Sequence, residues 1–164
     1  MNQRYKKLIM WALYAGLFLL TMLLQTVVFG RSRILGVKLS LIPVLLVCIS
    51  AIVGHEAGGL FCLIASFVWY LSGAADGSIG ILTLTVCGIG AGFACSQFSR
   101  RFFPALGLSF AALLLHEGVV FWMQAYLGAS EGAPFSWVLL MAVLSVPSWV
   151  IFYLLAKAIG KVGA

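Results

Sequence analysis

An uncharged apolar run of 22 residues, from Leu8 to Phe29, constrains this chain more than any other feature. A helix rises about 1.5 Å per residue, so the run reaches about 33 Å and matches a hydrocarbon core of about 30 Å. Arg4, Lys6 and Lys7 precede it, as in a secretory signal. The run is nevertheless longer than the apolar region of a signal, about 7–15 residues, and no small-residue cleavage pattern follows. We therefore expect a retained transmembrane helix.

The rest of the chain is also mostly apolar and carries few charges. Of its 164 residues, 63% are apolar and only 9% are charged, against about 45–50% and about 25% in soluble domains. So few polar side chains could not cover the exterior of a water-soluble globule of this size. We expect an all-α integral membrane protein in which residues 1–164 form a single transmembrane domain.

Polar loops divide the chain into six apolar segments. The predicted spans cover about 8–29, 40–53, 57–71, 78–98, 103–127 and 135–159. The second and third are short, because fourteen or fifteen residues reach only about 22 Å. They either cross with help from flanking residues or form a re-entrant hairpin. One merged helix through residues 54–56 is a third arrangement, but it would place Arg100 and Arg101 outside, against the charge distribution.

Lysine and arginine residues orient the spans, because short cytoplasmic loops carry an excess of both. With six spans and both termini inside, seven of the ten basic residues lie on the inner side. The other three, Arg31, Arg33 and Lys38, lie in the first loop. They are either a tolerated exception or an outer contact with phosphates or a partner. Arg100 and Arg101 are predicted to contact anionic lipids or a cytoplasmic partner. Such short clusters do not form a nucleic-acid surface.

Small residues predict where the helices touch, because close packing in lipid favours glycine, alanine and serine. Gly54 and Gly58 form one such pair, and Gly88 and Gly92 form another. The glycines of residues 88–92 lack the strand–turn–helix context of a nucleotide site.

Pro147 interrupts the last span and is expected to kink it. The kink either shapes a cavity or fits a curved packing surface, and the second interpretation is favoured.

Glu117 and His116 are polar residues near the middle of the fifth span. A charge there costs about 2.5–3.5 kcal/mol, so Glu117 makes a polar contact to another helix or subunit, serves a proton relay, or is a neutral acid satisfied by its neighbours. Adjacent helical residues point about 100° apart, so neither this pair nor His55 with Glu56 forms a metal site alone. We expect no metal, no cofactor and no enzymatic activity.

Several short motifs follow one another in a definite order. They are Leu24-Gln25-Thr26, Gly58-Gly59-Leu60-Phe61, Trp69-Tyr70-Leu71-Ser72-Gly73, Gly77-Ser78-Ile79-Gly80, Gly88–Gly92, Arg100-Arg101-Phe102-Phe103, Glu117 and the Ser145/Pro147 pattern. Their order, from about Leu24 to Leu155, resembles the MreD family of bacterial rod shape-determining membrane proteins. In that family an acidic residue often stands where this chain has Tyr70; either Asp76, six residues later, replaces it or its role is lost.

The resemblance implies a non-enzymatic, multi-pass scaffold of the cell-elongation machinery in the bacterial inner membrane. Its partners would be an MreC-type protein and, through it, MreB filaments, RodA and a penicillin-binding protein; a homodimer is an open alternative. Glu117, His116, Asp76 and Tyr70 are the predicted polar contacts. The family also resembles, in fold, the six-helix substrate-binding subunits of energy-coupling factor vitamin transporters. A solute-binding subunit is therefore the alternative function, which the scarcity of polar residues on the outer half disfavours.

Overall fold

The computed structural model describes residues 3–28, 40–73, 77–98, 102–127 and 135–163. Over these ranges the chain forms seven helices. They are α1 (Gln3–Val27), α2 (Leu41–Val53), α3 (His55–Leu71), α4 (Ile79–Phe98), α5 (Phe102–Tyr126), α6 (Ser136–Leu144) and α7 (Val146–Gly163). Four of them, α1, α4, α5 and α7, are long and apolar enough to cross a membrane. The prediction of an α-helical membrane protein is confirmed at this level.

Helix α2 occupies the centre of the bundle. Every residue from Leu41 to Ala51 is buried, and α2 contacts α1, α3, α4, α5 and α7. A helix that is apolar on all sides is stable either in a protein core or in lipid, and here the neighbouring helices enclose it. Because its neighbours shield it from lipid, α2 can be as short as about 20 Å without matching the bilayer thickness. This is why its short apolar segment is compatible with a membrane fold.

Contacts between the ends of the helices define two ends of the bundle. At the upper end, Gln25 of α1 contacts the start of α2 at Leu41. At the lower end, Gly163 of α7 lies against Met10 of α1. Between the two ends, the Tyr14 hydroxyl donates a hydrogen bond of 2.9 Å to the Ala156 carbonyl and joins α1 to α7. The start of α1 and the end of α7 therefore lie at the same end.

Gly54 separates α2 from α3 and excludes the merged helix. Its φ of 109° lies in the left-handed region, which glycine adopts without the steric cost of a Cβ. Gly54 was predicted to pack at a helix contact, but a Cβ built there would have no atom of the described residues within 4 Å. Gly54 is a turn residue, and its partner in the predicted motif, Gly58, makes the close contact instead.

The last predicted span is two helices, divided at Ser145. Ser145 donates a side-chain hydrogen bond of 2.8 Å to the Met141 carbonyl, and Ser148 donates one of 2.7 Å to the Ser145 carbonyl. Pro147 is the second residue of α7, where its missing N–H breaks no helical bond. It is also exposed. The last span is thus interrupted two residues before Pro147, and whether the break shapes a cavity or fits a curved packing surface stays a prediction.

Candidate functional site

Helices α2, α3 and α4 meet at a junction around Ser50, which is completely buried. The Ser50 hydroxyl donates a hydrogen bond of 2.6 Å to the Gly88 carbonyl of α4. A Cβ at Gly58 would lie 2.6 Å from the Ser50 Cα, and one at Gly92 would lie 2.9 Å from the His55 Cα. Each glycine lets two backbones approach more closely than any larger residue allows. This glycine junction joins the three helices and includes three of the four predicted packing glycines.

Gln25 connects the upper end of α1 to the start of α2. Its Oε1 accepts hydrogen bonds from the Leu41 N–H at 3.0 Å and the Ile42 N–H at 2.9 Å. The first N–H groups of a helix have no partner within it, and Pro43, the next residue of α2, has no N–H at all. One side chain therefore accepts hydrogen bonds from two N–H groups that have no partner within the central helix. This contact gives the Leu24-Gln25-Thr26 motif a structural role.

His116 is buried at 3% exposure and contacts Thr83. Its Nδ1 lies 2.9 Å from the Thr83 Oγ1, which joins α5 to α4. Thr83 Oγ1 also lies 3.1 Å from the Ile79 carbonyl of its own helix. The predicted polar contact of His116 is thus made within this chain.

We predict a measurable coupling between Thr83 and His116. Hydrogen bonds between membrane helices average about 0.6 kcal/mol and reach about 1.7 kcal/mol in double-mutant cycles. A cycle with Thr83→Val and His116→Phe, read by unfolding in mixed detergent micelles, should give a coupling energy in this range. Thr85→Val is the control, because Thr85 donates to the Ile81 carbonyl of its own helix. Equal coupling of His116 to Thr83 and to Thr85 would contradict the contact.

Glu117 lies on a different side of α5 from His116. It follows Leu106, Phe110 and Leu113 at helical spacing, and those three residues line a small cavity of about 10 Å³ against α6 and α7. Its Oε1 is buried although the residue as a whole is partly exposed. Helical spacing thus places Glu117 on the side of α5 that faces the α6–α7 break, which is not the side of His116.

The opposite face of α5 carries small residues. Gly107, Ala111 and Gly118 lie on one stripe, with the exposed side chains of Leu115 and Trp122 beside it. We call these five residues the α5 outer face. A Cβ at Gly107 or Gly118 would have no atom of the described residues within 4 Å, so these glycines do not serve a contact within the bundle. Their i, i+4 and i+11 spacing is the sequence signal that could have identified this face.

The remaining predicted site residues lie apart from these contacts. Tyr70 is 40% exposed near the upper end of α3. Asp76, Arg31, Arg33, Arg100 and Arg101 lie outside the described residues. Of the side chains that the structure does describe, no group of three histidine, cysteine, aspartate or glutamate residues could hold a metal ion. Sequence reasoning did not identify Tyr14, Ser50 or Thr83, whose hydrogen bonds join residues at least 33 positions apart in the chain.

Comparisons of the chain with protein families, with curated proteins and with solved structures found no match. Inferences about function therefore depend on the residues and contacts described above.

Proposed function

We propose that this chain is an MreD-like scaffold of the bacterial cell-elongation machinery, which binds the transmembrane helix of an MreC-type protein. One observation carries the proposal: several polar side chains of the spans join helices of the bundle to one another, while the small residues of the α5 outer face do not serve a contact within the described bundle. Ser50, Gln25 and Thr83 bond to other helices of the same chain. Such contacts are those of a rigid structural core rather than a reactive centre.

The α5 outer face has the form of a helix-binding surface. Small residues let another helix approach closely in lipid, where no hydrophobic force drives association. Leu115 and Trp122 are 64% and 68% exposed and would pack beside the incoming helix. A single-pass partner needs only one such face.

We further propose six crossings with both termini inside, in the inner membrane. Helices α6 and α7 together make one crossing, since α6 has only nine residues and reaches about 14 Å. An even number of crossings is supported by the position of Met10 beside Gly163 at the lower end. The excess of lysine and arginine on the predicted inner side supports the direction.

The proposal is tested by co-purification with an MreC-type protein expressed from the same organism. Gly107→Leu combined with Ala111→Leu should reduce the recovered partner at least about tenfold, equivalent to about 1.4 kcal/mol, because the larger side chains keep the partner helix away. Gly16→Leu and Gly90→Leu are matched controls, since both glycines are exposed and have no atom of the described residues within 4 Å of an added Cβ.

Two results would count against this function. If no MreC-type protein co-purifies with the wild-type chain in mild detergent, the proposed scaffold function is rejected. If the purified chain instead retains a vitamin-like small molecule, the function of a solute-binding transporter subunit is favoured over that of a scaffold. Loss of the partner in Gly90→Leu but not in the α5 variant would keep the function and move the binding face to α4.

A further inference from the structure

A cavity of about 440 Å³ lies at the lower end of the bundle. Its lining residues come from the last turn of α2 and from α1, α5 and α7. Ala51, Ile52 and Val53 close the cavity from above, and Met10 of α1 and Ala105 of α5 form apolar walls. The volume lies within the range of about 300–1,000 Å³ that is typical of small-molecule and lipid-sized sites. We call it the lower cavity.

The wall contributed by α7 is different, because it carries charge. Tyr153, Lys157 and Lys161 follow one another at four-residue spacing and line the same cavity. The Lys157 Nζ lies 5.9 Å from the centre of the Tyr153 ring. Two like charges at this spacing repel each other on a helix by a few tenths of a kcal/mol. An anion placed between the two ammonium groups removes that repulsion.

Helix ends of both signs lie at this end of the bundle. The C-terminal ends of α2 and α7 each carry about half a negative charge, while the N-terminal ends of α3, at His55, and of α5, at Phe102, each carry about half a positive charge. These partial charges largely cancel, so the charge at the mouth comes from the two lysines. Both lysines are exposed, so this charge is accessible from the surface, whereas the walls at Ala51 and Ala105 are buried.

We propose that the lower cavity binds one anionic phospholipid, with its phosphate between Lys157 and Lys161 and part of an acyl chain against Met10, Ile52 and Ala105. A basic mouth above an apolar interior fits an amphiphile with one anionic group, and basic pockets between membrane helices bind such headgroups. The bilayer around the helices supplies this ligand. The proposal is independent of the scaffold function, because no residue of the α5 outer face lines the cavity.

The test measures lipid retained by the purified full-length chain, using native mass spectrometry after reconstitution with phosphatidylglycerol and phosphatidylcholine vesicles. Wild type should retain one phosphatidylglycerol, at least about tenfold more often than phosphatidylcholine. Lys157→Gln with Lys161→Gln should remove this preference. Arg4→Gln with Lys7→Gln is the matched control, because it removes the same charge from the start of α1 without changing the cavity lining, and it should retain the lipid.

A second variant addresses the apolar part and does not depend on the lysines. Ala105→Phe should fill the acyl site and lower phosphatidylglycerol retention several-fold with both lysines present. Lys157→Arg with Lys161→Arg should keep the retention of phosphatidylglycerol, because both positive charges remain.

Unchanged retention in both the glutamine pair and Ala105→Phe would overturn the proposal. The proposal would also be overturned if inorganic phosphate displaced bound phosphatidylglycerol as effectively as free phosphatidylglycerol does. Such a result would show that the apolar walls contribute nothing to binding. Equal loss in the Arg4 and Lys7 control would show surface charge attraction without a cavity site.

Discussion

Replacing Gly58 with alanine should destabilise the bundle by about 1–2 kcal/mol, although alanine is the better helix former. The added Cβ would lie 2.6 Å from the Cα and 2.6 Å from the Oγ of Ser50. A backbone atom cannot rotate away, so α3 must move outward from α2. Overpacking of this kind costs about 1–3 kcal/mol and occasionally more, while the gain in helix propensity is at most about 1 kcal/mol.

The movement should also lengthen the hydrogen bond from Ser50 to the Gly88 carbonyl, because the same serine forms both contacts. Reversible unfolding in mixed micelles measures the loss. Gly90→Ala is the control: it makes the same change in α4, where an added Cβ has no atom of the described residues within 4 Å. We expect this control to be neutral or stabilising by up to about 1 kcal/mol. A Gly58→Ala protein as stable as Gly90→Ala would contradict the close approach of α2 and α3.

Replacing Gln25 with leucine should cost about 2–5 kcal/mol. The change keeps the size of the side chain but removes the oxygen that accepts from the Leu41 and Ile42 N–H groups. Each donor left buried without an acceptor costs about 1–3 kcal/mol, and a membrane interior offers little water to replace the oxygen. The loss should concentrate at the upper end, where the first turn of α2 would fray.

Hydrogen exchange of the Leu41 and Ile42 amides, together with the midpoint of detergent unfolding, measures this effect. Gln25→Glu retains an acceptor at the same reach and should keep most of the protection. Thr26→Val is the neighbouring control, because the Thr26 hydroxyl bonds the Met22 carbonyl of its own helix. Unchanged amide protection in Gln25→Leu would mean that α2 begins without the help of α1.

Part of the candidate site was predictable from residue type and spacing alone. Gly58, Gly88 and Gly92 stand in small-residue patterns, and all three have close neighbours from other helices. Gly54 belongs to the same pattern and is a turn residue, because spacing does not distinguish a glycine needed for its left-handed φ from one needed for its small size. His116 was recognised as a buried polar residue, but its partner Thr83 is 33 positions away.

The sequence by itself determined that this chain is helical and lies in a membrane, since its long uncharged runs have no other stable environment. Only the tertiary structure decided that α2 is the central helix, that α5 presents an open face of small residues, and that a cavity forms where α2 ends. The physical reason is that lipid and protein interior are both apolar. Hydropathy therefore locates the helices but cannot tell which of them are enclosed, and the arrangement depends on backbone approach and on a few hydrogen bonds between distant residues.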